Sequence, residues 1–153
     1  MTLSADDRGA IADLAARYCH RFDLCDPAGW AECFTADGVF ETPLGDTICG
    51  HQALHAFADS FRVPTGLPAP MRQFPAAMTI DGDDTQATLQ CYFTAYILLN
   101  PPLMIAMGRF EDELRKTNGH WKIARRREIL DWTRFPLDSG PAMVLAALRE
   151  AVE

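Results

Sequence analysis

The sequence predicts an α+β fold in which a curved, mainly antiparallel sheet wraps around N-terminal helices. Apolar residues recur at helical spacing in the N-terminal part, whereas residues 73–132 form successive strand patterns separated by turn signals. Asn118-Gly119 is a strong hairpin signal, because both residues tolerate positive φ. Helices followed by long antiparallel strands favour segregated layers over alternating βαβ units. A chain of 153 residues fits one domain, 1–153, with 133–153 as a C-terminal helical extension.

Three helices are expected before the main run of strands. Ser4 followed by Asp7 predicts the start of the first helix, with an acid in the first turn. Asp26-Pro27 predicts a second, short helix, since aspartate suits the cap and proline the first turn. A third helix follows Gly50. The expected inward-facing residues of the three helices are Ile11, Leu14, Ala15, Tyr18, Cys19, Phe22, Trp30, Cys33, Phe34, Leu54, Phe57, Ala58 and Phe61.

The strand patterns are separated by segments rich in glycine, proline and asparagine. Residues 62–70 carry three prolines and a glycine, which predicts a stiff loop that would suit a lid. Ser139-Gly140-Pro141 precedes a final amphipathic helix bearing Val144, Leu145, Leu148 and Val152. The predicted strands are 39–42, 47–49, 73–80, 85–98, 103–114 and 120–132.

Composition excludes several function classes. A formal net charge of −7 argues against nucleic acid, which needs a basic face. No apolar run approaches the ~20 residues that span a bilayer, and the first residues show no signal-peptide pattern. Five cysteines without a CxxC pair predict reduced, largely buried thiols rather than disulfides. We therefore expect a cytoplasmic protein that contacts neither membrane nor nucleic acid.

Asp23 is the main candidate for chemistry. It ends the first helical stripe, close in sequence to a cluster of aromatic residues that predicts an apolar cavity. Burial there would raise the pKa of the carboxyl and make it a usable acid or base near neutrality. Tyr18 lies on the same helix face and would direct its hydroxyl at the ligand. The alternative is a structural Asp23 that pairs with Arg127.

The strand alternation predicts further residues of the pocket. On the last strand, Trp121 and Ile123 mark an inward face, which by a period of two carries Arg127 and Asp131 towards the cavity. Phe93, Ile97 and Leu99 would then face outward and need cover, which predicts a homodimer or homotrimer. The expected substrate-binding residues are Phe22, Trp30, Phe34, Phe40, Phe57, Tyr92, Tyr96, Met107 and Asp131.

Several motifs together resemble the NTF2-like superfamily, in particular its SnoaL-like branch, over roughly residues 5 to 135. The motifs that carry the resemblance are Arg17-Tyr18, Asp23, Asp26, Phe34-Thr35-Ala36-Asp37-Gly38-Val39-Phe40, Gly50, Ile80-Asp81-Gly82-Asp83, Gly108-Arg109-Phe110 and 121–127. The resemblance implies an NTF2-like or cystatin-like barrel with a cone-shaped pocket. It also brings in several activities, among them dehydratases, polyketide cyclases and ketosteroid isomerases.

The resemblance carries over to the site only in part. Asp23 matches the acid of the Asp–His dyad of scytalone dehydratase-like members, but the dyad's histidine falls at Gln73, which cannot take a proton. Tyr18 matches the tyrosine that helps to hold the oxyanion in ketosteroid isomerases. Their base falls near Thr42, where there is no carboxylate.

The first functional hypothesis is a cofactor-independent lyase or isomerase acting on a hydrophobic cyclic molecule such as a polyketide, steroid, terpenoid or aromatic compound. Asp23 would move the proton, Tyr18 and Arg127 would stabilise the oxyanion, and Gln73 would orient substrate or water. A second hypothesis is a non-catalytic binding or assembly module that has lost the dyad. A third is an epoxide hydrolase or cyclase using Arg109, Glu111 and Asp131, and a dioxygenase β subunit also fits the family.

No metal or cofactor motif is present in the sequence. His51 and His55 have the i, i+4 spacing of a zinc helix, but Gln52 replaces the glutamate of H-E-x-x-H and no third ligand stands at a fixed spacing. Neither a G-x-G-x-x-G nor a phosphate-binding loop occurs. The sequence therefore predicts neither metal nor cofactor.

Overall fold

The computed structural model describes residues 2–61 and 70–136, together with Ala142 and Ala146, which are helical. The loop predicted over 62–70 lies outside the described residues except for Pro70, and so do Val144, Leu145, Leu148 and Val152 of the predicted final helix. In chain order the elements are α1 (Ala5–Asp23), α2 (Pro27–Ala31), β1 (Phe34–Glu41), β2 (Thr47–Cys49), α3 (Gly50–Asp59), β3 (Met71–Gly82), β4 (Gln86–Ile97), β5 (Leu103–Thr117) and β6 (His120–Thr133).

The six strands form one curved, unclosed sheet with the order β2-β1-β6-β5-β4-β3. Only β1 and β6 pair in parallel; the other neighbours are antiparallel. The β5–β6 hairpin turns at Asn118 and Gly119, whose φ angles are 52° and 79°. The α+β fold predicted from the sequence is therefore confirmed, although β1 begins at Phe34 rather than Val39.

Asp7 joins the first helix to the sheet. Ser4 caps α1 by accepting the Asp7 N–H at 3.0 Å, as the sequence predicts. The Asp7 carboxylate accepts hydrogen bonds from Lys116 Nζ at 2.7 Å and Trp121 Nε1 at 2.8 Å. These donors hold the pKa of Asp7 well below its usual range. The start of α1 is thereby fixed on β5 and β6.

The two faces of β4 are the reverse of the prediction. Cys91, Phe93 and Ile97 are buried in the core, whereas Tyr92 is 61% exposed on the outer face. Tyr96 lies on the outer face too, with its ring 5.9 Å from that of the exposed Phe74. The tyrosine hydroxyls are solvated by water on the outer face. The residues that alternate with the tyrosines, Cys91, Phe93 and Ile97, have no such group and therefore occupy the core face.

A β-bulge in β6 overturns the predicted face of Arg127. Pairing with β5 passes from Leu114↔Ile123 to Glu113↔Arg125, which leaves Ala124 as an extra residue. The alternation therefore changes face after Ile123. Arg126 becomes buried and Arg127 exposed.

A second irregularity in β6 lies at Asp131, which the bulge at Ala124 has already moved to the outer face. The register shifts between Met107↔Trp132 and Gly108↔Leu130, and Asp131 is the unpaired residue. It is exposed and binds Arg109 at 2.6 Å, outside the cavity. A Cβ at Gly108 would lie 2.1 Å from the Ile129 carbonyl oxygen, so only glycine allows the strands to approach here.

The bulge at Ala124 creates the central ion pair of the sheet. Arg126 Nε donates to Asp112 Oδ1 at 2.7 Å and Nη2 to Oδ2 at 2.6 Å, with both side chains buried. The guanidinium carbon lies 4.0 Å from the ring centroid of Tyr18 and 4.1 Å from that of Phe110. Burial opposes the charge of Arg126, but the Asp112 carboxylate outweighs it and raises the pKa of the guanidinium.

Replacing one partner of this pair should strongly destabilise the protein. Arg126→Met leaves the Asp112 carboxylate buried without its cation, which costs about 3–5 kcal/mol of unfolding free energy. The double variant Arg126→Met/Asp112→Leu removes both charges and should recover a large part of that loss. Urea unfolding of the three proteins measures both effects. A single variant as stable as the wild type would contradict this role.

Candidate functional site

The concave side of the sheet encloses a cavity of about 250 Å³ between α1, α3 and strands β1 and β3–β6. Small inward residues such as Ala95 and Ala106 leave this space open. Its polar lining residues include Tyr18, Gln73 and Glu128. The apolar lining comprises Phe22, Phe40, Pro43, Leu44, Phe57, Phe61, Met71, Phe93, Ala95, Ile105, Ala106, Leu130 and Pro136. A mostly apolar cavity with a few convergent polar groups is typical of a small-molecule site.

Asp23 is buried beside this cavity but is not one of its lining residues. Its Oδ2 accepts the backbone N–H of Gln73 at 2.9 Å, and Gln73 itself lines the cavity. Oδ1 has no hydrogen-bond partner among the described residues. Burial raises the pKa of Asp23 to about 6, while the Gln73 N–H and the charge of Arg72 oppose the shift. The ion pair with Arg127 considered from the sequence does not form.

Glu128, unlike Asp23, supplies a carboxyl to the cavity lining, which also includes Asp46. It follows Arg126 by two residues, on the same face of β6 after the bulge, and it lines the apolar cavity directly. Burial raises the pKa of Glu128 to about 7, although the positive charge of Arg126 opposes the rise. A carboxyl with this pKa exchanges protons readily at neutral pH.

Tyr18 also lines the cavity. Its ring packs against Arg126 and lies 5.2 Å, centroid to centroid, from the ring of Trp30. Burial raises the pKa of the Tyr18 hydroxyl well above its usual range, so the group stays protonated. It therefore suits donation to a developing negative charge.

The predicted site residues fall into three groups. Tyr18, Gln73, Phe22, Phe40 and Phe57 line the cavity. Trp30 and Phe34 are 0% and 1% exposed and belong to the aromatic core, where ring contacts on every side leave no room for a ligand. The residues that lie on the outer face, and so do not line the apolar cavity as predicted, are Arg127, Asp131, Tyr92, Tyr96 and Met107.

Sequence reasoning missed Arg126, Asp112 and Glu128. Asp112 alternates with the buried Phe110 and Leu114, so a carboxylate stands in an inward register of β5. That position signals a buried cation on a neighbouring strand. The arginine run 125–127 offered three candidates for that cation, and only the bulge decides among them.

The described residues hold no group of three or more His, Cys, Asp or Glu side chains suited to a metal ion. Within the same residues, no helix has the length and apolar character needed to cross a lipid bilayer.

A curved, unclosed sheet that wraps around helices and a mostly apolar cavity places the chain in a class of small α+β proteins. The SnoaL-like domain family matches residues 4–127. The chain belongs to this family. No curated protein matches the sequence significantly.

Solved structures share the whole fold. Rv3472 from Mycobacterium tuberculosis, of unknown function, is 28% identical with a TM-score of 0.80, covering 97% of this chain and 98% of its own. A Nostoc punctiforme protein of unknown function with a cystatin-like fold is 25% identical, with a TM-score of 0.79 and coverages of 90% and 99%. A proposed scytalone dehydratase from Novosphingobium aromaticivorans is 20% identical, with a TM-score of 0.70 and coverages of 84% and 86%; it shows the fold alone.

The two raised carboxyls predict a loss of stability as pH rises. Glu128 and Asp23 bind protons more tightly in the folded state than in the unfolded state, where their pKa values are 4.5 and 3.8. Their stabilising contribution is therefore complete below pH ~4 and is lost as pH rises through about 6 for Asp23 and about 7 for Glu128.

Glu128→Gln should remove the Glu128 part of this dependence. Between pH ~5 and ~8 the unfolding free energy of the variant should gain about 2 kcal/mol relative to the wild type. Glu113→Gln, which changes an exposed carboxyl on β5, is the matched control and should run parallel to the wild type. Urea titrations across this range measure the effect. Parallel curves for all three proteins would mean that Glu128 ionises as freely as in the unfolded chain.

Proposed function

We propose that the protein is a cofactor-independent lyase or isomerase that moves a proton on a hydrophobic cyclic small molecule. Polyketides, steroids, terpenoids and aromatic compounds are the substrate classes that fit. The observation that carries the proposal is the pair of carboxyls with pKa values of about 6 and about 7 at a mostly apolar cavity of about 250 Å³. Carboxyls poised near neutrality are those expected of general acids and bases.

Each polar group then has a distinct task. Glu128, which lines the cavity, takes a proton from a carbon next to the substrate carbonyl and returns it elsewhere on the molecule. Tyr18 donates to the oxygen on which negative charge develops, and the Gln73 amide orients the carbonyl. Asp23 Oδ2 accepts a hydrogen bond from the Gln73 backbone N–H. Asp23 Oδ1 has no hydrogen-bond partner among the described residues, so it is the oxygen available for protonation. Arg126 acts through charge, because it is buried against the ring of Tyr18.

This division changes the role of Arg127, which was expected to stabilise the oxyanion. Arg126 takes over that electrostatic task, because the bulge at Ala124 exchanges the faces of the two arginines. The epoxide hydrolase alternative loses its support for the same reason: Arg109 and Asp131 bind one another on the outer face. The five cysteines are free, which suits a cytoplasmic location.

The chemical assignment is tested without knowledge of the natural substrate. Purified protein is incubated with 2-tetralone, a two-ring ketone, in D₂O, and loss of the α-proton signals is followed by NMR. Glu128→Gln keeps the shape but cannot accept a proton, so we expect a rate loss on the order of 10²–10⁴-fold. Asp23→Asn should lose less, since its amide oxygen still accepts the Gln73 N–H.

The outcomes distinguish the hypotheses. A larger loss of exchange rate in Asp23→Asn than in Glu128→Gln would identify Asp23, rather than Glu128, as the proton-transfer group. Binding of 2-tetralone without any exchange above the buffer rate would favour the non-catalytic binding module, in which Gln73 stands in place of the dyad's histidine. Melting temperatures of both variants serve as the control for folding.

We also propose that the protein forms a homodimer or homotrimer through the outer face of the sheet. Phe74, Thr94, Met107 and Trp132 stand in one cross-strand row over four strands. Phe74, Met107 and Trp132 are 55%, 42% and 43% exposed, and Tyr92 adds to the patch. Exposed apolar patches of this kind mark protein interfaces.

Light scattering at micromolar concentration should therefore give a multiple of the monomer mass. Tyr92→Glu puts a charge into the patch and should shift the protein towards monomer. Leu24→Glu, at the exposed end of α1, is the control and should leave the mass unchanged. A wild-type protein of monomer mass would contradict the interface.

A further inference from the structure

A second cavity of about 410 Å³ opens beside the first, and we name it the polar notch. It is formed by Glu41, Thr42 and Pro43 at the end of β1 and by Arg125, Arg127 and Glu128 of β6. The proposed reaction uses only Glu128 of this set, and nothing in it assigns a task to the arginines.

The notch exists because β1 ends before β6 does. The parallel register of the two strands stops at Glu41↔Arg127, whereas β6 continues to Thr133. After Glu41 the chain folds back into a tight turn, in which the Thr42 N–H donates to the Asp46 carbonyl at 2.9 Å. The side of β6 beyond Arg127 is thus left without β1 as a neighbour, and the gap forms there.

The polar notch adjoins the apolar cavity. Thr42, Pro43, Glu128 and Leu130 line both spaces. One molecule is therefore able to occupy both, with its rings in the apolar cavity and a short arm in the notch.

The charges of the notch favour a single negative charge on that arm. Arg125 is already bound to the carboxylate of Glu41. Arg127 is exposed and has no ion pair or hydrogen bond to another described side chain. Arg127 is therefore the cation of the notch that no carboxylate of the described residues pairs. One carboxylate on the arm supplies the missing partner.

We propose that the polar notch binds a carboxylate arm of the substrate through the guanidinium of Arg127. The substrate class narrows to hydrophobic cyclic molecules that carry a short acidic side chain. This inference rests on the proposed function, because it assumes that the apolar cavity holds the ring system. A planar guanidinium matches a carboxylate by two parallel hydrogen bonds, which a lysine does not offer.

A pair of matched probes tests the inference. Isothermal titration at pH ~6.5 compares 2-naphthylacetic acid with 2-(2-naphthyl)ethanol, which share the ring system and differ in the charge of the arm. The measured quantity is the ratio of the two dissociation constants, alcohol over acid. Arg127→Gln should lower this ratio about tenfold, because one charge-assisted contact is lost, while the affinity for the alcohol stays the same.

Arg115→Gln is the matched control. It removes the same charge from an exposed arginine that lies 3.5 Å from Asp37 and does not line the notch. The ratio in this variant should equal that of the wild type. An equal fall of the ratio in Arg127→Gln and Arg115→Gln would overturn the carboxylate site in the notch. It would show instead a long-range effect of net charge.

Failure of the inference is distinguishable from failure of the proposed function. Alcohol binding with a ratio that Arg127→Gln leaves unchanged would overturn the carboxylate site and leave the ring-binding cavity in place. If neither probe binds, both the proposed ring-binding role of the apolar cavity and the proposed carboxylate site are contradicted. Melting temperatures confirm that each variant is folded before it is titrated.

Discussion

The buried pair of Arg126 and Asp112 is the interaction on which the rest of the structure depends. A charge that is 1% exposed persists only if its solvation by water is replaced, and here a bidentate carboxylate and two aromatic faces replace it. The pair joins β5 to β6 at the register Asp112↔Arg126. The guanidinium of Arg126 also packs on the ring of Tyr18, which anchors α1 to the sheet. It also puts a permanent positive charge next to Glu128, which limits how far burial raises the pKa of that carboxyl.

Element types were predictable because each rests on local chemistry. Ser4 and Asp26 cap their helices with side-chain oxygens, and Asn118-Gly119 turns with both residues at positive φ. The faces of the strands were less predictable. In β6 the run 125–128 is charged throughout, so it offers no alternation from which a bulge at Ala124 could be inferred. One extra residue then moved Arg126, Glu128 and Leu130 to the cavity face, until the irregularity at Asp131 returned Thr133 to the face that the alternation predicts.

The cavity was predictable in character but not in its boundary. Its aromatic wall was predictable from the apolar residues that recur at helical spacing in α1 and in α3. Phe22 belongs to the apolar face of α1 and Phe57 to that of α3, and both line the cavity. The space itself arises from the small residues Ala95 and Ala106, which leave a gap that larger side chains would fill. Such a gap depends on which strands become neighbours. A single sequence does not show which strands become neighbours. The wrong prediction for the two faces of β4 has the same cause.

The proposed function requires no histidine at position 73, because it assigns the proton transfer to a different carboxyl. Asp23 keeps the expected place, but its Oδ2 is engaged by the Gln73 N–H, and its pKa of about 6 leaves it largely ionised at neutrality. Glu128, with a pKa of about 7, is present in both protonation states at the same pH. The proposed function assigns the proton transfer to Glu128 because Glu128 lines the apolar cavity and Asp23 does not. The proposed function therefore places proton transfer on β6 rather than at the α1–β3 contact, and there the charge of the structural Arg126 opposes the rise in the pKa of Glu128.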